Sequence, residues 1–131
     1  MKKHVLVVDD ETAILRLLDF LLSKEYAVTL KSNGYEAIQW LEAGNKPDLI
    51  ILDIQMPYFD GPDFFKSIKM SGLFSNIPVI VLTGESDTEG ISSRFKYPLE
   101  SIFKKPFNPE KLKNAIKSIF LRIEQGKEAK A

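Results

Sequence analysis

Cysteine is absent from the 131 residues, which excludes disulfides, thiolate metal sites and cysteine nucleophiles. No apolar run approaches membrane-spanning length. Only His4 to Val8 separate Met1-Lys2-Lys3 from Asp9, too few residues for the core of a signal peptide. Net charge is absent as well. The 18 basic and 18 acidic side chains balance to zero, so no overall attraction to nucleic acid or to an anionic membrane is indicated. A glycine-rich phosphate loop is missing after the first apolar run. Asp9-Asp10-Glu11 stands there instead and repels phosphate unless a metal is bound. Together these absences predict a soluble, cytoplasmic protein that makes no direct contact with nucleic acid or membrane.

What is present is ordinary globular composition, with 44% hydrophobic and 27% charged residues, enough apolar surface to fold as one domain. Short apolar runs alternate with longer amphipathic segments. Val5–Val8, Ala27–Leu30, Leu49–Leu52, Pro78–Leu82 and Ser101–Lys104 read as strands. Thr12 to about Ser23, Tyr35–Ala43 closed by Gly44, a segment from Pro62 to about Met70, and a last segment capped by Asn108 and started by Pro109 read as helices. Residues 85–95 form a poorer helix, with Gly90 inside it. Five strand–helix repeats with buried strands predict an α/β, doubly wound parallel sheet covered on both faces. Such sheets place ligands outside the carboxyl ends of their strands.

The residues at those ends are Asp9-Asp10, Asp53, Thr83-Gly84 and Lys104-Lys105-Pro106. An aspartate after a strand is commonly a helix cap, and a lysine beside a proline is commonly solvated. The information lies in four such positions meeting at one sheet edge. Carboxylates brought together resist ionisation. A hard cation relieves this, and an oxygen-only donor set points to Mg²⁺ or Mn²⁺. A nearby ammonium and hydroxyl suit a phosphoryl group. Phosphoryl transfer to Asp53 is the chemistry this set predicts.

Val7-Val8-Asp9-Asp10-Glu11, Pro47 through Pro57, Asp60-Gly61, Pro78 through Thr83 and Lys105-Pro106-Phe107 closely resemble the motifs of the response regulator receiver domain of two-component signalling, from about residue 3 to 122. The resemblance implies a flavodoxin-like (βα)5 fold with strand order 2-1-3-4-5. It implies a receiver domain over 1–124 and a polar tail or linker start over 125–131. By resemblance Asp53 is the phosphoacceptor, and Thr83 and Lys105 contact the phosphoryl oxygens. Asp10, Asp53 and the backbone carbonyl of Gln55 bind Mg²⁺ directly, and Asp9 binds it through water. Lys105-Pro106 is expected to be cis. The implied donor is a phosphohistidine on a sensor histidine kinase or histidine phosphotransfer protein, or a small acyl phosphate, and the implied reader is a downstream effector protein. Such a protein is no dedicated enzyme, but it catalyses its own Mg²⁺-dependent phosphorylation and dephosphorylation. The resemblance leaves a monomer and a phosphorylation-dependent dimer both open.

Departures from the family pattern bear on mechanism. Ile102 stands where a tyrosine or phenylalanine is usual three residues before the site lysine. Its neighbour Phe103 should face the other side of the sheet as plain core. Lys96-Tyr97-Pro98-Leu99 replaces a Gly-Ala turn and predicts a short or mobile helix before it. Gln55 and Glu85 occupy positions that tune hydrolysis in the family. The first helix carries Ile14, Leu15, Leu17, Leu18, Phe20, Leu21 and Leu22, more than one apolar stripe needs, and the surplus suits a docking patch. His4 is expected at the sheet end opposite Asp53, so it cannot be the donor. A haloacid-dehalogenase-type phosphatase would want an aspartate where Gln55 stands. A receiver that binds partners without phosphorylation remains an alternative through Ile102.

Overall fold

The computed structural model describes residues 2–54, 61–84 and 100–130. Its elements are β1 (His4–Val8), α1 (Thr12–Leu22), β2 (Ala27–Lys31), α2 (Gly34–Glu42), β3 (Leu49–Asp53), α3 (Gly61–Met70), β4 (Val79–Thr83), β5 (Ser101–Lys104) and α4 (Pro109–Lys130). The strands form one parallel sheet in the order β2-β1-β3-β4-β5. Expected strands and helices over the described residues are all present, with ends displaced by a residue or so except at α4, which runs through most of the expected polar tail to Lys130. The predicted helix over 85–95, the Lys96–Leu99 segment, Asp60, Gln55 and Glu85 lie outside the described residues.

Every residue of β3 and β4 is buried, whereas β2, at the sheet edge, is half-buried throughout. This is why Leu-Ile-Ile-Leu and Val-Ile-Val-Leu lack a period of two: both faces of a central parallel strand are covered. Alternate residues feed two cores. Leu6, Val8, Ile50, Leu52, Val79 and Val81 pack with Ala37 and Leu41 of α2 and Phe64, Phe65 and Ile68 of α3. Val5, Val7, Leu49, Ile51, Ile80 and Leu82 pack with Leu18 and Leu22 of α1 and Leu112, Ile116, Ile119 and Phe120 of α4. Each fully buried Leu, Ile or Phe contributes about 1.5–3 kcal/mol from burial.

Capping follows local chemistry. Asn33 Oδ1 accepts from the Glu36 amide at 2.8 Å at the start of α2, and the Gly44 φ of 105° ends that turn in the left-handed region. Asn108 Oδ1 accepts from the Glu110 and Lys111 amides at 2.9 and 3.1 Å, opening α4. At α1 the N-cap residue is Glu11, whose side chain makes no cap hydrogen bond. The α4 helix continues past residue 124 to Lys130.

Ile102 and Phe103 face opposite sides as expected. Ile102 packs on the α2–α3 core and Phe103 on the α1–α4 core. On α1, five of the seven apolar residues (Ile14, Leu15, Leu18, Leu21 and Leu22) join the α1–α4 core, while Leu17 and Phe20 are exposed, Phe20 by 75%. Any docking surplus on α1 is thus two residues wide. His4 opens β1, at the end of the sheet opposite Asp53. Its ring stands edge-on to Trp40 with centroids 5.2 Å apart and shares a 2.6 Å hydrogen bond with Thr29 Oγ1.

Candidate functional site

The carboxyl edge of the sheet gathers the expected residues. Asp53 is the last residue of β3 and Thr83 the last of β4, while Asp9 follows β1 directly and Lys105 follows β5. Pairing holds these ends level: Asp53 aligns with Leu82, and Thr83 with Lys104. The Lys105 amide donates to the Thr83 carbonyl at 2.6 Å, and the Lys105-Pro106 bond is cis. Strand spacing of about 4.8 Å thus carries side chains far apart in sequence to within hydrogen-bonding reach.

Asp9, Asp10 and Asp53 offer carboxylate oxygens that all lie within 4.8 Å of one another. Asp9 and Thr83 are fully buried, Asp53 is 2% exposed, and Asp10 opens to solvent. The Lys105 ammonium enters the cluster from the β5 side. It lies 2.9 Å from Asp9 Oδ2, 2.8 Å from Glu11 Oε1 and 3.6 Å from Asp53 Oδ2.

Burial dominates the electrostatics. Desolvation raises the Asp9 pKa above the ordinary carboxylate value. The 2.8 Å hydrogen bond from the Glu11 amide and the Lys105 charge offset only part of that. For Lys105, burial pulls the pKa down, but contacts with Glu11 and Asp9 and the charge of Asp53 outweigh it, and the net shift is upward.

One oxygen is left wanting. Asp9 Oδ2 is buried without a hydrogen bond, so its approach to Lys105 is an ion pair whose orientation falls outside hydrogen-bond geometry. Its charge is only partly compensated, because the one ammonium is shared with Glu11 and Asp53. With two more carboxylates beside it and no nitrogen or sulfur donor, it fits a hard divalent cation. The arrangement can therefore hold a cation on its acidic side and an anion against Lys105 and Thr83. The Gln55 carbonyl, also expected at the metal, lies outside the described residues.

Glu11 was missed by reading the sequence for ligands. The sequence offers it as part of an acidic run and of a family motif, with no role of its own, yet among the described residues it is the closest carboxylate to Lys105. A faint signal was available: glutamate is a poor residue for a helix N-cap, so its presence there asks for another partner.

No helix among the described residues is long and apolar enough to cross a membrane. Compared with known proteins, the response regulator receiver domain family matches residues 5–117. The chain is 34% identical over 125 residues to the alkaline phosphatase synthesis transcriptional regulatory protein PhoP of Bacillus subtilis, covering 95% of this chain and 51% of that protein. It is 38% identical over 113 residues to the two-component response regulator ARR10 of Arabidopsis thaliana, covering 85% of this chain and 20% of that one. The chain thus spans about half or less of the length of these relatives. Among solved structures, chemotaxis protein CheY4 of Vibrio cholerae superposes with a TM-score of 0.82 at 28% identity, covering 90% of this chain and 98% of that one. The BeF3-activated DrrB receiver domain gives 0.79 at 28%, covering 92% and 98%.

Proposed function

The chain belongs to the response regulator receiver domain family, and we propose that within it Asp53 accepts a phosphoryl group from a phosphohistidine of a sensor histidine kinase or histidine phosphotransfer protein, switching the binding of a downstream effector. The observation that carries this reading is the meeting of Asp9, Asp10 and Asp53 within 4.8 Å, with Lys105 3.6 Å from Asp53. In the proposed reaction an Asp53 carboxylate oxygen attacks phosphorus. The P–N bond of the donor breaks, and its electron pair returns to the imidazole, which takes up a proton.

Asp9, Asp10 and Asp53, with the Gln55 carbonyl, are the residues we assign to Mg²⁺, with Mn²⁺ as a substitute; the ion supplies charge neutralisation for the carboxylates and the transferring group. Lys105 and Thr83 bind the phosphoryl oxygens. Positioning by the strand ends and the excluded solvent around Asp53 do the remainder. In the proposed hydrolysis water attacks phosphorus, the P–O bond to Asp53 breaks with its electron pair returning to the carboxylate, and inorganic phosphate leaves, the same site serving both formation and loss of the acyl phosphate. The same reading places the protein in the cytoplasm with its donor.

The test is intact mass after incubation with Mg²⁺ and acetyl phosphate. We expect a gain of one phosphoryl group, about 80 Da, absent with EDTA and absent in Asp53→Asn. Lack of any gain with acetyl phosphate and with a phosphorylated histidine kinase would refute the reading. Persistence of the gain in Asp53→Asn would refute the choice of residue.

A further inference from the structure

We infer that Glu11 is a positioning residue that holds the Lys105 ammonium away from the phosphoacceptor and so restrains phosphorylation of Asp53; this rests on the reading of the site given above. Glu11 and Lys105 are 94 residues apart in sequence, yet their side chains meet at 2.8 Å. An ammonium has three donors. In Lys105 one goes to Glu11, and among the described residues the ammonium's other short contact is the ion pair with Asp9, while Asp53 Oδ2 stays at 3.6 Å, beyond a good hydrogen bond. The ammonium therefore sits closer to Glu11 and Asp9 than to Asp53, with which it still makes a longer ion pair.

A second observation concerns what Glu11 forgoes. It occupies the N-cap of α1, where a short side chain would bond the free amides of the first turn, and it makes no such bond. Its own amide is spent on Asp9 Oδ1 at 2.8 Å, which fixes the backbone from which its side chain reaches across to Lys105. Once a cation takes the carboxylates of Asp9 and Asp53, Glu11 is, among the described residues, the nearest anion left to compete with a phosphoryl group for that ammonium. Glu11 is 57% exposed, so solvent screens the pair and its restraint is moderate.

The experiment compares wild type, Glu11→Gln and Glu11→Asp. Glutamine removes the charge. Aspartate keeps the charge but is one methylene too short for the same contact, and it is a better N-cap. With saturating Mg²⁺ and acetyl phosphate, we expect both variants to gain the Asp53 phosphoryl group about threefold faster than wild type, the size expected of an exposed ion pair. The ζ-nitrogen signal of Lys105 in ¹⁵N-lysine-labelled, metal-free protein should shift in both, a change that a purely structural role for Glu11 would not produce. Equal or slower labelling in both variants, or an unmoved Lys105 signal, overturns the inference. A wild type that is never labelled overturns the reading of the site and this inference with it, which separates the two failures.

Discussion

Replacing Lys69 by methionine should cost this fold stability, by an amount its contacts allow to be worked out. Near the end of α3, the Lys69 ammonium donates to the Ser75 and Ile77 carbonyls at 3.1 and 2.9 Å and lies 5.6 Å from the centre of the Phe65 ring. It thereby ties down the connection that delivers the chain into β4. Methionine keeps most of the apolar stem and deletes both bonds. Hydrogen bonds from a charged donor are worth about 1.5–3 kcal/mol each when well buried. Lys69 is only half-buried, and desolvation of its ammonium works against the gain, lowering its pKa from 10.5. We expect a net loss of about 1.5 kcal/mol. With an unfolding entropy of about 2.1 cal/mol/K per residue, that lowers Tm by about 5 °C.

The sign of its pH dependence follows from linkage. Because the folded-state pKa is depressed, the unfolded chain holds more protons just below pH 10.5, so folding stability rises with pH up to that value. Tyr26, whose pKa burial raises from 10.0, acts in the opposite direction above pH 10 in both proteins and cancels in their difference. Urea unfolding of wild type and Lys69→Met across the alkaline range measures both effects. Wild type should gain on the variant as pH approaches 10.5. Equal stability, or a difference that ignores pH, would refute this account of Lys69.

Three further outcomes follow from the same contacts. Mg²⁺ at a hundredfold excess over its dissociation constant should stabilise the protein by about 2.7 kcal/mol, and denaturant titrations of Asp10→Asn should show most of that gain lost. Leu22→Lys, at a fully buried position, should prevent cooperative unfolding, whereas Phe20→Lys, 75% exposed, should change stability by no more than about 0.5 kcal/mol, as circular dichroism melts will show. Trp40 fluorescence should stay unchanged on phosphorylation of Asp53 and respond to His4→Gln, because the indole meets His4 at the other end of the sheet.

The sequence revealed the parts of this structure that local chemistry determines. Leu49–Leu52 and Val79–Leu82 are strands because four consecutive β-favouring apolar residues bounded by Pro-Asp and Thr-Gly have few alternatives. Even so, each apolar run ends a residue before its strand does. Asp53 and Thr83 belong to their strands, since ladder pairing continues through polar residues that a hydrophobic pattern cannot count. The convergence of Asp9, Asp10, Asp53 and Lys105 was legible because parallel topology alone sends those ends to one edge. The reach of Glu11 to Lys105 and of Lys69 to the β4 approach was not, because such contacts follow no period. Leu22 illustrates a third limit. It belongs to the apolar surplus that suits a docking surface, but it is fully buried in the core that α1 shares with the sheet strands and residues of α4, so the stripe this helix buries is wider than the pattern suggests.

The level alignment of the strand ends bears on how such a chain can diverge. The backbone positions from which Asp53 and Lys105 project are set by ladders across β3, β4 and β5, and backbone hydrogen bonds are indifferent to which side chains they carry. Substitutions on the outer faces of α1 to α4 leave those ladders in place, so the helix surfaces can change while the backbone at the carboxyl edge keeps its register. A chain only 28% identical to CheY4 of Vibrio cholerae yet superposing on it with a TM-score of 0.82 fits a scaffold whose shape is held by ladders that tolerate many side chains.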